Sequence, residues 1–597
     1  MGESMTQDPY PELADPSTYA APSGECDLIM KGGITSGVIY PRAACYLAKK
    51  YRFRQVGGAS AGAIAAAFAA AAELGRTKPH PAGFTGLNAL PDELGAKLAT
   101  LFQPSKQTKA AFEILSDWIE PKWSLPRRLA SIVRRVLMRA PIVAAIAFVV
   151  AMLPGVAVAA ALQHGHAWPH WWTPRRSWWV WVPGSFVVAL VAAVVALLLK
   201  TNRTMTANGF GLCNGHTRTD KKNPPLTDWM TDKLDTLAGL DELERPLRFR
   251  HLHEAVQPIE LQVMTTCLTL RRPYKFPFTH KLFLFCQHCM FDYFPTAVVE
   301  AMGEVASSGG WKCPQHPHQT LYHLPDPDDM PVVIAARISL SFPGLMSAIP
   351  LYYIDRSRPE DKRDVVTTWF SDGGISSNFP MHFFDSLWPL RPTFGINLET
   401  FDADYPDDMV WRPSSPKQGL LPRVHPMKSL VGFVGSILDT MQNWNDTTQL
   451  TLPGFRDRVA EVRTLANEGG MNLRMDADVI KGLAVRGANA AALFDQFDLD
   501  LHKWIRYRVA TNMLDTSLNK LHERYDPPAG GGYKQFIDAY GKTTSHYRFD
   551  DDGFRAADIV ATGELMDAAG TWITAGDPAT HPEHPKPQPL LRVVPPQ

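Results

Sequence analysis

Two stretches of 22 residues, PIVAAIAFVVAMLPGVAVAAAL at 141–162 and WWVWVPGSFVVALVAAVVALLL at 178–199, contain no charged side chain. As an α-helix each extends ~33 Å, enough to cross a hydrocarbon core of ~30 Å. Helices buried in soluble proteins seldom run so far without a charge, so the pair reads as two membrane spans. The competing readings are a buried apolar hairpin in a large soluble core and a re-entrant or shallow insertion. Pro154-Gly155 and Pro183-Gly184 can kink or shorten the spans. The connection, 163–177, is short, which makes a hairpin with both ends on one side. Arg127, Arg128, Arg134, Arg135 and Arg139 precede it and Lys200 and Arg203 follow, whereas the turn holds Arg175 and Arg176. That bias places both large flanking segments in the cytosol. Tryptophans 168, 171, 172, 178, 179 and 181 crowd the turn end, as in an interfacial belt. SLPRRLASIVRRVLMR, at 124–139, sets apolar residues between arginine pairs at helical spacing. It suits an anionic leaflet, or an ordinary solvated basic face.

With 597 residues the chain exceeds one ordinary core, so it holds several units or one core with large insertions. Lysines and arginines balance aspartates and glutamates, 60 against 60. No overall field draws it to nucleic acid, and any such attraction must be local. Seven cysteines, an odd count, point to reduced, cytosol-facing thiols. The N-terminus is acidic and proline-bearing, without the pattern of a signal peptide. Residues 1–25 read as a flexible lead-in, and the absence of a targeting segment favours a bacterial inner membrane.

From Cys26 the order is regular. CDLIM is a strand, KGGITSG a glycine turn and VIYPRAACYLAKK a helix. YRFRQV is a second strand, GGASAG a tight turn and AIAAAFAAAAEL a helix. Alternating strands and helices predict a largely parallel sheet with helical cover. After the hairpin, PIELQVMTTCLTL, VVTTWFSDGG, TFGINLE and FRDRVAEVRTL are strand candidates. The expected organisation is the first part of an α/β domain at 26–103, a basic amphipathic segment at 104–140 and the hairpin at 141–199. The second part of the α/β domain follows at 200–400, an α/β or helical extension at 401–576 and a proline-rich tail at 577–597.

Gly58-Ala59-Ser60-Ala61-Gly62 fits G-x-S-x-G directly between a strand and a helix. A nucleophile on so sharp a turn needs neighbours with little or no side chain. The helix N-terminus then points amides at a developing negative charge. The bland reading is a packing corner with Ser60 as a cap. Gly32-Gly33-Ile34-Thr35-Ser36-Gly37 lies after the first strand. If the two strands are parallel neighbours, its amides can face Ser60 and hold an oxyanion. A phosphate loop or an ordinary turn remains open, although the pattern is neither G-x-G-x-x-G nor a Walker loop. FSDGGISSNFP places Asp372-Gly373-Gly374 at the end of an apolar segment. An aspartate there can accept the serine proton, which a poor nucleophile needs. A histidine base is the competing scheme. His382 is nearest in sequence to the aspartate, and His216 and His425 have no placed role.

These three pieces, in this order, resemble the patatin-like phospholipase family. The resemblance covers roughly 26–75 and 209–400, including GFGLCNGHTRTDKKNPPLTDWMTDKL, AARISLSFPGLMSAIP, Asn378 and Pro380. It implies a patatin-like α/β core, with a mostly parallel central sheet and helices on both faces, interrupted here by the hairpin. It also implies a Ser–Asp dyad without histidine, with Ser60 as nucleophile, Asp372 as general base and Gly32, Gly33 and the Ile34 amide as oxyanion hole. Gly58 and Gly62 frame the elbow, and Gly373 and Gly374 complete the aspartate motif. Two positions depart from the family pattern: Ile34 stands for the third glycine and Ser36 for a basic residue. A β-branched side chain restricts the backbone there. Neither the hairpin nor the chain beyond 400 is part of the resemblance.

The implied activity is hydrolysis of phospholipid or lysophospholipid acyl esters through an acyl-enzyme, by a membrane-bound enzyme with its catalytic domain and both termini cytosolic. Alternatives are an acylglycerol lipase, an acyltransferase, a non-enzymatic membrane scaffold with a degenerate fold, and a soluble peptidase. Membrane phospholipids or other acyl lipids are the expected partners, with no nucleic acid; oligomeric state is not legible. No cofactor is required by Ser–Asp chemistry. FCQHCMF and CPQHPH, however, place Cys286, Cys289, Cys313 and His316 at spacings that can hold a structural zinc. An aromatic packing segment or a redox pair are the other readings.

Overall fold

A computed structural model describes residues 8–574 and 585–586, apart from 34, 120–123, 164–173, 221, 402–408, 415–417, 419–423, 428, 466–467, 471 and 541–550. The centre is a 12-stranded sheet. In chain order its strands are β1 (Gly24–Met30), β2 (Tyr51–Gly58), β3 (Glu260–Cys267), β4 (Arg272–Phe276), β5 (Phe283–Phe285) and β6 (Ser308–Lys312). They continue with β7 (Thr320–His323), β8 (Ile349–Ile354), β9 (Val365–Asp372), β10 (Thr393–Thr400), β11 (Val410–Trp411) and β12 (Val459–Thr464). Across the sheet the order is β11-β12-β10-β1-β2-β3-β9-β8-β5-β7-β6, with β4 on β3.

Five adjacent strands, β12, β10, β1, β2 and β3, are parallel. From β3 outward through β9, β8, β5, β7 and β6 every pairing is antiparallel. The expected mostly parallel sheet is therefore corrected to a mixed one, with four parallel pairings and seven antiparallel. The reason is connectivity: β3 to β4, β6 to β7 and β8 to β9 are joined by connections of at most ten residues, too short for the crossover that a parallel pair needs.

The parallel half is covered on one face by helices. α1 (Tyr40–Ala48) and α2 (Ala61–Leu74) follow β1 and β2, and α2 lies across β1, β2 and β3. Ala63, Ala66, Ala67, Ala69 and Ala70 of α2 are fully buried, and their small side chains let the helix sit close to the strands. Alternation along β1 sends Leu28 and Met30 to this side and Ile29 to the other. There Ile29, Met264 and Val459 meet Phe379, Met381, Phe383 and Phe384. The second face is thus covered at this point by the short segment after the D-G-G motif, where a helical layer was expected.

The predicted spans fall on α4 (Pro141–Gln163) and α5 (Pro174–Ala207), preceded by α3 (Leu125–Arg139). Two helical stretches, Pro141–Ala160 and Trp178–Ala207, are long and apolar enough to cross a membrane, with mean hydropathy 2.6 each. Ala144, Ala189 and Ala193 form their mutual contact with Val136 of α3. Outward lie Ile142, Ile146, Val149, Leu153, Val187 and Leu198, all exposed. Of the tryptophan cluster, 168, 171 and 172 fall outside the described residues. The basic face of α3 is partly neutralised within the protein: Arg135 pairs with Glu113 at 2.6 Å and Asp117 at 2.5 Å, and Arg139 with Glu113 at 3.0 Å.

Two further expectations are corrected. Residues 8–25 are packed, not a flexible lead-in: Leu13 and Tyr19 are core residues, and Asp8 pairs with Arg42 at 2.6 Å. Residues beyond 400 are not a separate extension, because β12 pairs along β10 from Gly395↔Val459 to Thr400↔Thr464. The proline-rich tail lies outside the described residues, save 585–586.

Candidate active site

Register brings the motifs together. Met30 pairs with Gly58, so the glycine loop after β1 and the serine turn after β2 leave the same sheet edge. Gly58 pairs with Val263, and Thr265 of β3 pairs with Asp372 at the end of β9. Asp372 therefore stands at the level of Ser60, on the far side of β3. Their side chains close that gap: Ser60 Oγ donates to Asp372 Oδ2 at 2.7 Å.

Ser60 has φ 53° and ψ −126°, a region that a residue with a Cβ rarely adopts. Such strain persists only where the surroundings over-determine it. Here the surroundings are backbone. A Cβ on Gly62 would meet the carbonyl oxygens of Met30 at 2.2 Å and Lys31 at 2.7 Å, and one on Gly58 would meet Gly62 and Met30 backbone at 2.6 Å. Both outer positions of G-x-S-x-G are glycine because the turn presses on the end of β1.

α6 (Val332–Ser339) and the residues after it hold both partners from behind. Ser339 Oγ accepts from the Ser60 N–H at 3.0 Å. The Ser341 carbonyl accepts from the Asp372 N–H at 3.1 Å and from Ser371 Oγ at 2.8 Å. Arg337, fully buried, donates to Ser341 Oγ at 2.8 Å and to the carbonyls of Asn214 and Ser347 at 2.9 Å. The AARISLS run is thus a cradle for the pair.

Asp372 is buried, and its other oxygen accepts from the Gly374 N–H at 2.7 Å. Burial pushes its pKa up to about 7, against the opposing effect of the bonds from Ser60 and Gly374. A carboxyl poised there can take and return a proton near neutrality. The histidine scheme finds no support in the contacts. His216 bonds Asp228 at 2.7 Å, His425 is exposed and His382 lies against Phe383, while the serine and aspartate touch directly.

The glycine loop adjoins the serine: a Cβ on Gly32 would lie 3.1 Å from Ser60 Cβ. Its amides are less available than expected. The Gly32 N–H donates to the Asn378 carbonyl at 2.8 Å and the Thr35 N–H to the Gly470 carbonyl at 3.1 Å. Gly32 is thus removed from the expected oxyanion set, because its proton is already committed. The Gly33 N–H has no acceptor among the described residues, and Ile34 lies outside them.

One carboxylate was missed in the sequence. Asp446, on α7 (Leu430–Leu450), accepts from Ser377 Oγ at 2.8 Å and from the N–H groups of Asn378 at 2.7 Å and Phe379 at 2.8 Å. Burial raises its pKa to about 6. It fixes the turn after Asp372-Gly373-Gly374, from a position that no motif marks.

Beside the pair is an apolar cavity of about 570 Å³, counting its open mouth. Its wall includes Thr35, Ala61, Ile64, Phe68, Leu98 and Leu340, so it touches the loop, the residue after the serine and the residue after Ser339. Elsewhere, Cys286, Cys289, Cys313 and His316 come together in a group able to hold a metal ion.

The chain is therefore a mixed α/β protein with a strained, elbow-borne serine in contact with a buried aspartate. It belongs to the family of the RpoH suppressor of Rhizobium meliloti (strain 1021), with which it shares 32% identity over 654 aligned positions, spanning 96% of this chain and 99% of that one. No family model matches it. The crystal structure of VipD from Legionella pneumophila aligns over 93% of this chain and 87% of that one, at 12% identity and a TM-score of 0.26, a likeness too low to carry an argument.

Proposed function

We propose that the protein is a membrane-bound serine acyl hydrolase with a patatin-like core, acting on phospholipid or lysophospholipid esters. The observation that carries this reading is the 2.7 Å contact between Ser60 Oγ and the Asp372 carboxyl. Asp372 takes the hydroxyl proton as Ser60 Oγ attacks the ester carbonyl. The oxyanion is met by the amides of Gly33 and of Ala61, which opens α2 and has no intrahelical acceptor. Collapse breaks the C–O bond, and the departing alcohol takes the proton from Asp372. Asp372 then deprotonates water, which attacks the acyl-enzyme. Release of the fatty acid returns the proton to Ser60.

The apolar cavity suits the acyl chain, being lined by Ile64, Phe68, Leu98 and Leu340 beside the serine turn. The exposed apolar faces of α4 and α5 suit bilayer insertion, which keeps the domain beside an otherwise water-insoluble substrate. Both termini and the catalytic domain then lie in the cytosol. A reporter placed within 163–177 should read outside the cytosol and reporters at both termini inside; a cytosolic loop reporter overturns the two-span topology.

The deciding experiment is fatty-acid release from mixed phospholipid vesicles by purified wild type and Ser60→Ala in matched detergent. Release by the wild type alone supports the reading, and headgroup analysis names the substrate. Transfer of label to an added alcohol, with little free acid, makes the protein an acyltransferase. Equal background from both proteins, with no labelling of Ser60 by a serine-reactive phosphonate, overturns catalysis and favours a scaffold.

A further inference from the structure

The outer end of the sheet is weakly paired. β5 meets β8 through Tyr352↔Leu284 and Tyr353↔Phe283, and β7 through Leu284↔His323 and Phe285↔Tyr322. At this point four soft donors converge. Cys286 follows β5, and Cys289 lies one turn further on, in the short helix Gln287–Met290. Cys313 follows β6, and His316 stands in the connection to β7. Their ligand atoms all lie within 4.8 Å of one another. Cys289 Sγ is 3.7 Å from Cys313 Sγ and 3.2 Å from His316 Nδ1. Tetrahedral zinc with Zn–S bonds of ~2.3 Å sets its sulfurs ~3.8 Å apart.

The bland reading is an apolar cluster, since the cysteines are buried and free beside Leu284, Leu321 and Tyr352. Two features set this group apart. Three thiols and an imidazole face one centre, although the cluster offers apolar neighbours on every side. In addition, the Tyr352 hydroxyl lies 3.1 Å from both Cys289 Sγ and Cys313 Sγ. A buried zinc with three thiolates and one imidazole carries a net negative charge, and a hydroxyl shared by two of its sulfurs stabilises it. Such outer-shell donors are the usual companions of a built metal site.

We propose that Cys286, Cys289, Cys313 and His316 bind one zinc ion tetrahedrally, and that this closed site pins the β6–β7 hairpin to the end of β5. Four protein ligands leave no position for water or substrate, so the role is structural. The inference is independent of the acyl-hydrolase reading.

The test is metal content of the full chain, purified in detergent from zinc-supplied cells without chelator. The wild type should carry about one zinc per chain, and His316→Cys, which supplies a fourth thiolate, should retain it. Cys289→Ser should lose at least about tenfold in zinc content, and Tyr352→Phe about tenfold in zinc affinity. Cobalt exchanged into the wild type should give the intense visible bands of a tetrahedral thiolate site. If ligand variants fail to fold, chelator treatment of the wild type replaces them: it should expose the 305–325 hairpin to protease, and added zinc should restore protection. Wild-type protein without stoichiometric zinc, full zinc retention by a folded Cys289→Ser, an octahedral cobalt spectrum, or a hairpin indifferent to chelator would each overturn the proposal.

Discussion

Asp372→Asn is expected to lower fatty-acid release by about 10²–10⁴-fold, the usual contribution of a general base, without unfolding the protein. Asparagine keeps the size and an oxygen to accept the Gly374 N–H, but it cannot take the serine proton. The sign of the stability change separates this from a structural lesion. Asp372 titrates at about 7 in the fold because burial disfavours its charge, whereas an unfolded aspartate titrates near ~3.9. Between those values the folded state holds the extra proton, so this group's contribution to stability falls as pH rises from about 4 through about 7. The variant lacks that loss. Its melting temperature should match or exceed the wild type at pH 8, and the advantage should vanish near pH 4. In the wild type, kcat/KM should climb with pH below about 7 and level off above it. A rate already flat from pH 5, or an Asn variant that melts well below wild type at pH 8, would show that Asp372 is not the base described.

Gly62→Ala should be at least as damaging, by another route. The new Cβ would lie 2.2 Å from one backbone carbonyl oxygen and 2.7 Å from the next. Backbone cannot swing aside as a flexible side chain can, so either β1 shifts or the turn opens. Overpacking of this kind costs about 1–3 kcal/mol, and sometimes more. The Ser60–Asp372 contact should be lost with it, taking activity below detection. Ala61→Gly, at the preceding residue, keeps the backbone amide assigned to the oxyanion and removes only a methyl from the cavity wall, so it should retain most activity. Urea unfolding and fatty-acid release on the same preparations check both.

What was legible in the sequence follows from how local each signal is. The strand, glycine turn and helix after Cys26 are short-range patterns, and they mark β1, α1, β2 and α2. G-x-S-x-G was readable because crowding dictates its glycines, and D-G-G because a tight turn follows the aspartate. The two long apolar helices were readable from length and the absence of charge. The antiparallel half of the sheet was not, since strand direction depends on the connections between short, ambiguous segments. Asp446 was invisible for a different reason: its partners, Ser377, Asn378 and Phe379, are nearly seventy residues away, and an aspartate inside a helix looks like any solvated one. The commitment of the Gly32 amide to Asn378 is likewise a tertiary event. The cysteine and histidine spacings were visible, but their convergence needed the β6–β7 hairpin to fold back on β5.

The pairing of β2 with β3, from Gln55↔Glu260 to Gly58↔Val263, joins chain on either side of the hairpin insertion. Parity follows. A sheet cannot be closed through a lipid bilayer, so the chain between these strands must cross an even number of times or not at all. If the two apolar helices insert, folding of the sheet acts as a selector among insertion outcomes: a nascent chain with one helix threaded strands β2 from β3 and cannot complete the domain. It also orders events in time, because the serine emerges from the ribosome long before the strand that aligns its partner. Until that strand has paired, Ser60 is present without the carboxyl that it contacts in the folded domain.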